Sequence, residues 1–102
     1  MASSADELGV VDYMRLMKAF LDKRIDARNY ARSYFDLAKR RVNIVSEEAS
    51  RITQQAYGDA DDYEPDAELR QADTRWIAEV ELRERVAKSL REFEALGYRF
   101  EG

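Results

Sequence analysis

A dense run of carboxylates lies in the middle of the chain, between residues 59 and 68. Six of these ten residues are acidic and none is basic; the acidic ones are Asp59, Asp61, Asp62, Glu64, Asp66 and Glu68. The whole chain carries a formal charge of −4, and since the run contributes −6, the other 92 of the 102 residues carry about +2. Negative charge concentrated in this way is a candidate docking surface for a basic partner.

Carboxylates can also perform catalysis or bind metals, but the sequence disfavours both roles. A general acid and base pair needs a cleft, which a domain of this size rarely provides. A calcium loop starting at Asp59 and Asp61 would need glycine at its sixth position, where Glu64 stands before Pro65. The chain has no histidine and no cysteine, so the commonest general base and the usual zinc ligands are missing. We therefore expect no enzyme activity, no metal and no cofactor.

Charge alone leaves two interpretations of the run open. It is either a solvated helix end and loop, or a row of carboxylates that docks into a basic cleft. Aromatic residues beside acids can form interface hot spots, so we include one tyrosine and the single tryptophan in the predicted docking surface. That surface comprises Asp59, Asp61, Asp62, Tyr63, Glu64, Asp66, Glu68 and Trp76.

A second charged feature lies between Asp22 and Arg41, where seven basic residues accompany three acidic ones. Arg24, Arg28 and Arg32 are spaced four apart, which places them on one face of a helix that reaches back that far. The row is either a solvated face paired with neighbouring acids or a nucleic-acid-binding surface. Because a net charge of −4 opposes binding to a polyanion, we expect no direct contact with nucleic acid.

Four amphipathic helices must position these features, since apolar residues recur at spacings of three and four. The predicted helices cover about 9–23, 26–43, 46–63 and 78–96. Asp26 and Ser46 suit helix N-caps and Gly97 suits a C-cap. Between the last two helices, 64–76 form an irregular connection with room for one turn at 66–70. Asp73 and Thr74 are better caps than Ala78, so a start one turn earlier is the alternative for the last helix.

These apolar residues form one stripe along each helix. The four stripes predict an all-α antiparallel four-helix bundle, with one domain at 9–102 after a flexible tail at 1–8. Core positions include Ile52, Leu82, Val86 and Leu90, with Val80 beside the last stripe. No apolar run approaches the ~20 residues of a membrane span, and the first residues do not resemble a signal peptide. We expect a cytoplasmic monomer or weak dimer without membrane contact.

Two stretches together resemble the family of colicin-D-type immunity proteins, the bacterial self-protective colicin-like immunity domains. The first stretch is Phe20-Leu21-Asp22-Lys23-Arg24-Ile25-Asp26-Ala27-Arg28-Asn29-Tyr30, followed by Tyr34. The second is Asp61-Asp62-Tyr63-Glu64-Pro65-Asp66-Ala67-Glu68-Leu69-Arg70, which is similar to that family's D-x-Y-x-P-D-x-E-L segment, followed by Glu81-Leu82-Arg83. The likeness covers about residues 12–92 in a consistent order.

The resemblance implies a four-helix bundle that binds and neutralises a co-produced toxin nuclease, in the relevant branch one that cleaves tRNA. Such an inhibitor presents acidic residues to a basic active-site cleft and imitates the RNA backbone. Carried over by position, the candidates that face the toxin are Asp61, Asp62, Glu64, Asp66 and Glu68. The alternatives are a helical adaptor for another basic protein, or a nucleic-acid-associated domain that uses the arginine row.

Overall fold

The computed structural model describes residues 7–40, 44 and 46–99. Its helices are α1 (Glu7–Leu21), α2 (Ala27–Arg40), α3 (Glu47–Asp62), α4 (Ala67–Ala72) and α5 (Glu79–Ala95). Across these residues no strand forms, and extended backbone pairs only at a single parallel bridge between Tyr63 and Ile77. The all-α prediction is confirmed. Among the same residues, none of the helices combines the length and apolar character needed to cross a membrane.

The turn between α1 and α2 corrects the prediction that Arg24 shares a helical face with Arg28 and Arg32. Helix α1 ends at Leu21, and Lys23 takes a φ of 63°, which is left-handed backbone that non-glycine residues seldom adopt. The Arg24 backbone N–H donates to the Ala19 carbonyl at 2.9 Å, and α2 begins only at Ala27. Arg24 therefore lies in the turn rather than on a helical face with Arg28 and Arg32. Its guanidinium is 3.7 Å from a carboxylate oxygen of Asp22.

Several predicted helix ends are confirmed by their hydrogen bonds. The side chains of Asp26 and Ser46 accept from the backbone N–H groups three residues later, at 2.7 and 3.3 Å. Gly97 follows α5 with a φ of 99°, where glycine costs least, and its N–H donates to Glu94. The predicted tail at 1–8 overlaps the start of α1 at Glu7, and its residues 1–6 lie outside the described residues, as does the predicted end of α2 at 41–43.

The connection after α3 is more ordered than predicted. Asp66 caps the six-residue helix α4, and Asp73 follows its end. The Asp73 side chain accepts from the Arg75 N–H at 2.9 Å, so it forms a turn and does not cap α5. The alternative of an earlier start for the last helix is therefore wrong; α5 begins at Glu79, after Ala78, which makes no side-chain cap.

The four long helices form a closed ring around one core. Helix α1 packs against α2 and α5, and α3 packs against the same two helices. The helical bundle is thus confirmed, while the antiparallel order of its helices stays a prediction. The predicted core residues Ile52, Leu82, Val86 and Leu90 are all buried. The prediction for Val80 is wrong, because it is 71% exposed; two residues before Leu82, it points about 200° around the helix from it.

Aromatic rings fill the part of the core where α1 and α2 meet. Phe20 stacks on Tyr30 with ring centroids 4.7 Å apart, and Tyr13 packs against Tyr34 at 5.1 Å. The Tyr34 hydroxyl donates to the Thr53 carbonyl of α3 at 2.7 Å. The Tyr30 hydroxyl is buried without a hydrogen-bond partner among the described residues. The two tyrosines are thus equally buried, but only the Tyr34 hydroxyl has a hydrogen-bond partner among the described residues.

Candidate protein-binding surface

The acidic run forms a fixed corner of the molecule, made by the end of α3, its connection and α4. Glu64 N–H donates to the Ile77 carbonyl at 3.0 Å, and Ile77 N–H donates to the Asp62 carbonyl at 2.9 Å. The Arg70 guanidinium donates to the Glu64 carbonyl at 2.6 Å. These bonds join both ends of the connection and α4 to one another, so the backbone that carries the carboxylates is held in place.

Asp59, a member of the predicted docking surface, is buried inside the corner. It is only 2% exposed, and its Oδ1 accepts from Arg85 Nη1 at 3.2 Å and from Gln55 Nε2 at 3.1 Å. A buried carboxylate needs such partners, because removing it from water without them is costly. Asp59 therefore anchors α3 to α5, and its prediction as a docking residue is wrong. The signal was in the sequence: Asp59 lies three residues after Ala56, on the apolar stripe of α3.

Asp62 is shared between the interior and the surface. Its carboxylate lies 3.6 Å from Arg85 Nη1 and 3.9 Å from Arg75 Nε, and its side chain is 26% exposed. Arg85 also binds Glu81. Partial burial lowers the pKa of Arg85, but the hydrogen bonds to Glu81 and Asp59 and the negative charges of both residues together raise that pKa by more, so the guanidinium stays charged. We call Asp59 and Asp62 the inner carboxylates. The arginines that neutralise them come from later in the chain, which no local pattern indicated.

Four carboxylates of the run remain directed toward solvent. Asp61, Asp66 and Glu68 are exposed and Glu64 is partly exposed; across the described chain, none of the four has an ion-pair partner. The Asp66 carboxylate accepts from the Glu68 N–H at 2.8 Å, and that of Glu64 accepts from the Asp66 N–H at 3.1 Å. We call these four residues the outer carboxylates. They form a fixed patch of uncompensated negative charge.

The two predicted aromatic members lie at the edge of this patch. Tyr63 and Trp76 are both partly buried; Tyr63 forms the bridge with Ile77, and Trp76 directly precedes Ile77 in the chain. The Arg75 guanidinium covers the Trp76 ring, 3.9 Å from its centroid. Burial, and then the charge of Glu79, raise the pKa of Tyr63. Both rings therefore support the corner and offer only part of their surface to a partner.

A groove that sequence reasoning missed borders the outer carboxylates. It has a volume of about 430 Å³ and is lined on the α2 side by Arg28, Arg32, Phe35, Asp36 and Lys39 and on the other side by Ala60, Asp61, Tyr63 and Pro65. Two members of the predicted arginine row thus face the acidic corner across one groove. Finding it requires knowing that α2 packs beside the end of α3, which no spacing within either helix reveals.

The acidic residues of the described chain do not assemble into a metal site. Residues 7–40, 44 and 46–99 contain no cluster of three or more acidic side chains arranged to hold a metal ion. The two aspartates with calcium-loop spacing have separated roles, since Asp59 is paired inside with Arg85 while Asp61 points outward. Among those residues the corner is therefore a charged protein surface without an assembled metal site.

Comparison with known proteins adds one finding. A family model described as bacterial self-protective colicin-like immunity matches residues 8–93, which is most of the chain and includes the whole acidic corner and the groove. No curated protein and no solved structure matches the chain. On the extent of that match, the chain belongs to the family of bacterial self-protective colicin-like immunity proteins.

Proposed function

We propose that this chain binds a co-produced toxin nuclease that cleaves tRNA, and blocks it by inserting the outer carboxylates into its basic active-site cleft. Membership of the immunity family supports a protein that neutralises a toxin. The observation that carries the finer proposal is the division of the acidic run. Arginines neutralise its inner residues, whereas Asp61, Glu64, Asp66 and Glu68 face outward without an ion-pair partner among the described residues.

The chemistry of the target favours such a surface. A nuclease that cuts RNA must hold phosphates, so its cleft is basic. Carboxylates that replace phosphates gain from the same field, which also speeds diffusional encounter. The corner is held by the bonds of Glu64, Ile77 and Arg70, so little conformational freedom is lost when it docks. Inhibition of this kind requires no catalytic group, and we place the complex in the cytoplasm of the producing cell.

Charge reversal at the outer carboxylates tests the proposal. With the nuclease encoded beside this gene as the binding partner, Asp61→Lys, Asp66→Lys and Glu68→Lys should each weaken binding by a few kcal/mol, since like charges at an interface cost that much. The matched control is Glu94→Lys. Glu94 is exposed and lies fifteen residues beyond Glu79 on α5, about 22 Å along the helix axis. That control should retain affinity.

The outcomes separate the parts of the proposal. An equal loss of affinity in Glu94→Lys would show that binding depends on the net charge of the chain and not on the acidic corner. Unchanged affinity in all three corner variants would rule out insertion of the outer carboxylates into the cleft, while leaving family membership intact. Addition of one equivalent of this chain should also stop the partner from cleaving purified tRNA. A partner that leaves tRNA intact and cuts DNA would contradict the proposed substrate.

A further inference from the structure

The groove beside the acidic corner has walls of opposite charge. Arg28, Arg32 and Lys39 recur at intervals of four and seven, on one face of α2, and all three are exposed. In the described part of the chain none of them pairs with a carboxylate within 4 Å. Asp61 stands on the opposite wall. The two walls thus carry complementary charges that do not neutralise each other within one molecule.

Apolar surface separates these charges. Phe35 and Tyr63 are partly buried in the lining of the groove, and Pro65 is exposed there. A contact over this groove would bury ring surface at its centre and place ion pairs at its rim, which is the usual arrangement of a protein interface. The apolar part is small, so association through it would be weak.

Adjacent positive and negative patches of this kind are self-complementary. A two-fold rotation about an axis through the groove sets the basic wall of one copy against the acidic wall of the other, and the same contact then occurs twice. We propose that the groove is a homodimer contact, in which Arg28, Arg32 and Lys39 of one copy pair with the outer carboxylates of a second copy of this chain.

A second copy fits the groove better than a polyanion does. Asp36 and Asp61 line the same groove as the three cations, so phosphates laid along α2 would meet two carboxylates. A second copy brings positive charge to those carboxylates as well as negative charge to the cations. If the proposed function holds, the dimer also covers the residues that bind the toxin, so self-association and toxin binding exclude each other. The dimer itself does not depend on that function.

Sedimentation of the full-length chain tests the proposal, with two charge-reversed variants. In Arg28→Glu/Arg32→Glu and in Asp61→Lys/Asp66→Lys, like charges meet at both contacts, so each variant alone should self-associate at least about tenfold more weakly than wild type. When the variants are mixed, both contacts of the mixed dimer are attractive: one joins the two mutated walls with their signs exchanged, and the other joins the two unmutated walls with their original signs. The mixture should form dimers and no larger species. Lys88→Glu/Arg91→Glu, two exposed positions on α5, is the control with the same charge change as the arginine variant.

Each sedimentation result either supports or overturns the homodimer. Wild type at low ionic strength should show a mass that rises with concentration toward two chains and returns to one chain in high salt. A wild type that stays at the mass of one chain throughout overturns the dimer. So does a mixture of folded variants that stays monomeric, or a control that loses self-association as strongly as the arginine variant. A mass that grows past two chains would replace the two-fold contact with a head-to-tail one. Toxin binding, measured at concentrations where the chain is monomeric, tests the proposed function separately, so the dimer and the proposed function can fail independently.

Discussion

The inner and outer carboxylates of one short acidic run have opposite roles. Asp59 is buried against Arg85 and closes the packing of α3 on α5, while Asp61, two residues later, points into solvent. Residue type and local charge are the same at both positions, and only the phase of the helix differs. The comparison shows that density of charge along a sequence identifies a region, whereas helical phase decides which of its members support the fold and which can bind.

The largest expected difference between the two groups is in stability. Asp59→Ala should lower the free energy of unfolding by about 2–3 kcal/mol, somewhat less than a fully buried ion pair, because the Arg85 side chain is 36% exposed. Asp61→Ala should change it by no more than about 0.5 kcal/mol, as is usual for a surface position. Urea unfolding of both variants measures the contrast directly.

A double-mutant cycle shows whether Arg85 causes this difference. Asp59→Ala and Arg85→Ala should be non-additive by about 1–2 kcal/mol, because the residues touch. Asp61→Ala with Arg85→Ala should be additive within about 0.5 kcal/mol. Additivity in the Asp59 pair would mean that Asp59 is needed for its packing and not for its ion pair. The distinction between inner and outer residues would then rest on burial alone.

A smaller effect is expected from the two buried tyrosines next to the inner carboxylates. Tyr34→Phe removes the hydrogen bond to the Thr53 carbonyl and should cost about 1 kcal/mol. Tyr30→Phe removes a hydroxyl that has no partner among the described residues, so stability should be unchanged or slightly higher. Thermal unfolding of the matched pair checks this. An equal loss in both variants would show that the Tyr30 hydroxyl is satisfied in solution, for example by water.

The same tyrosines give the fold a dependence on alkaline pH. Burial, and then the charge of Asp59, raise the pKa of Tyr30; burial and the neighbouring tyrosines raise that of Tyr34. In the unfolded chain both ionise near pH ~10. Above that pH the unfolded state holds fewer protons than the folded state, so stability is retained below it and falls as the pH rises. Tyrosinate absorbance from these residues should appear together with loss of helical circular dichroism. Ionisation of Tyr30 and Tyr34 while the helices remain intact would contradict the burial of their side chains.

Much of the fold was predictable because it depends on local patterns. The stripes of the helices and the caps at Asp26, Ser46 and Gly97 follow from spacings of a few residues, and the structure confirms them. The candidate site was predictable only as a region. Arg85 reaches Asp59 from 26 positions away, and the groove exists only because α2 packs beside the end of α3. Tertiary packing sets both, so no window of the sequence contains them.

The central claim is that the outer carboxylates steer this chain into a basic cleft of the toxin. The most direct test is the association rate constant with the cognate toxin as ionic strength rises from about 0.01 M to 1 M, which shortens the screening length from ~30 Å to ~3 Å. The wild-type rate should fall steeply, and that of Asp61→Lys/Asp66→Lys should start lower and fall much less. Equal salt dependence in the two proteins, or a wild-type rate that ignores salt, would contradict the claim.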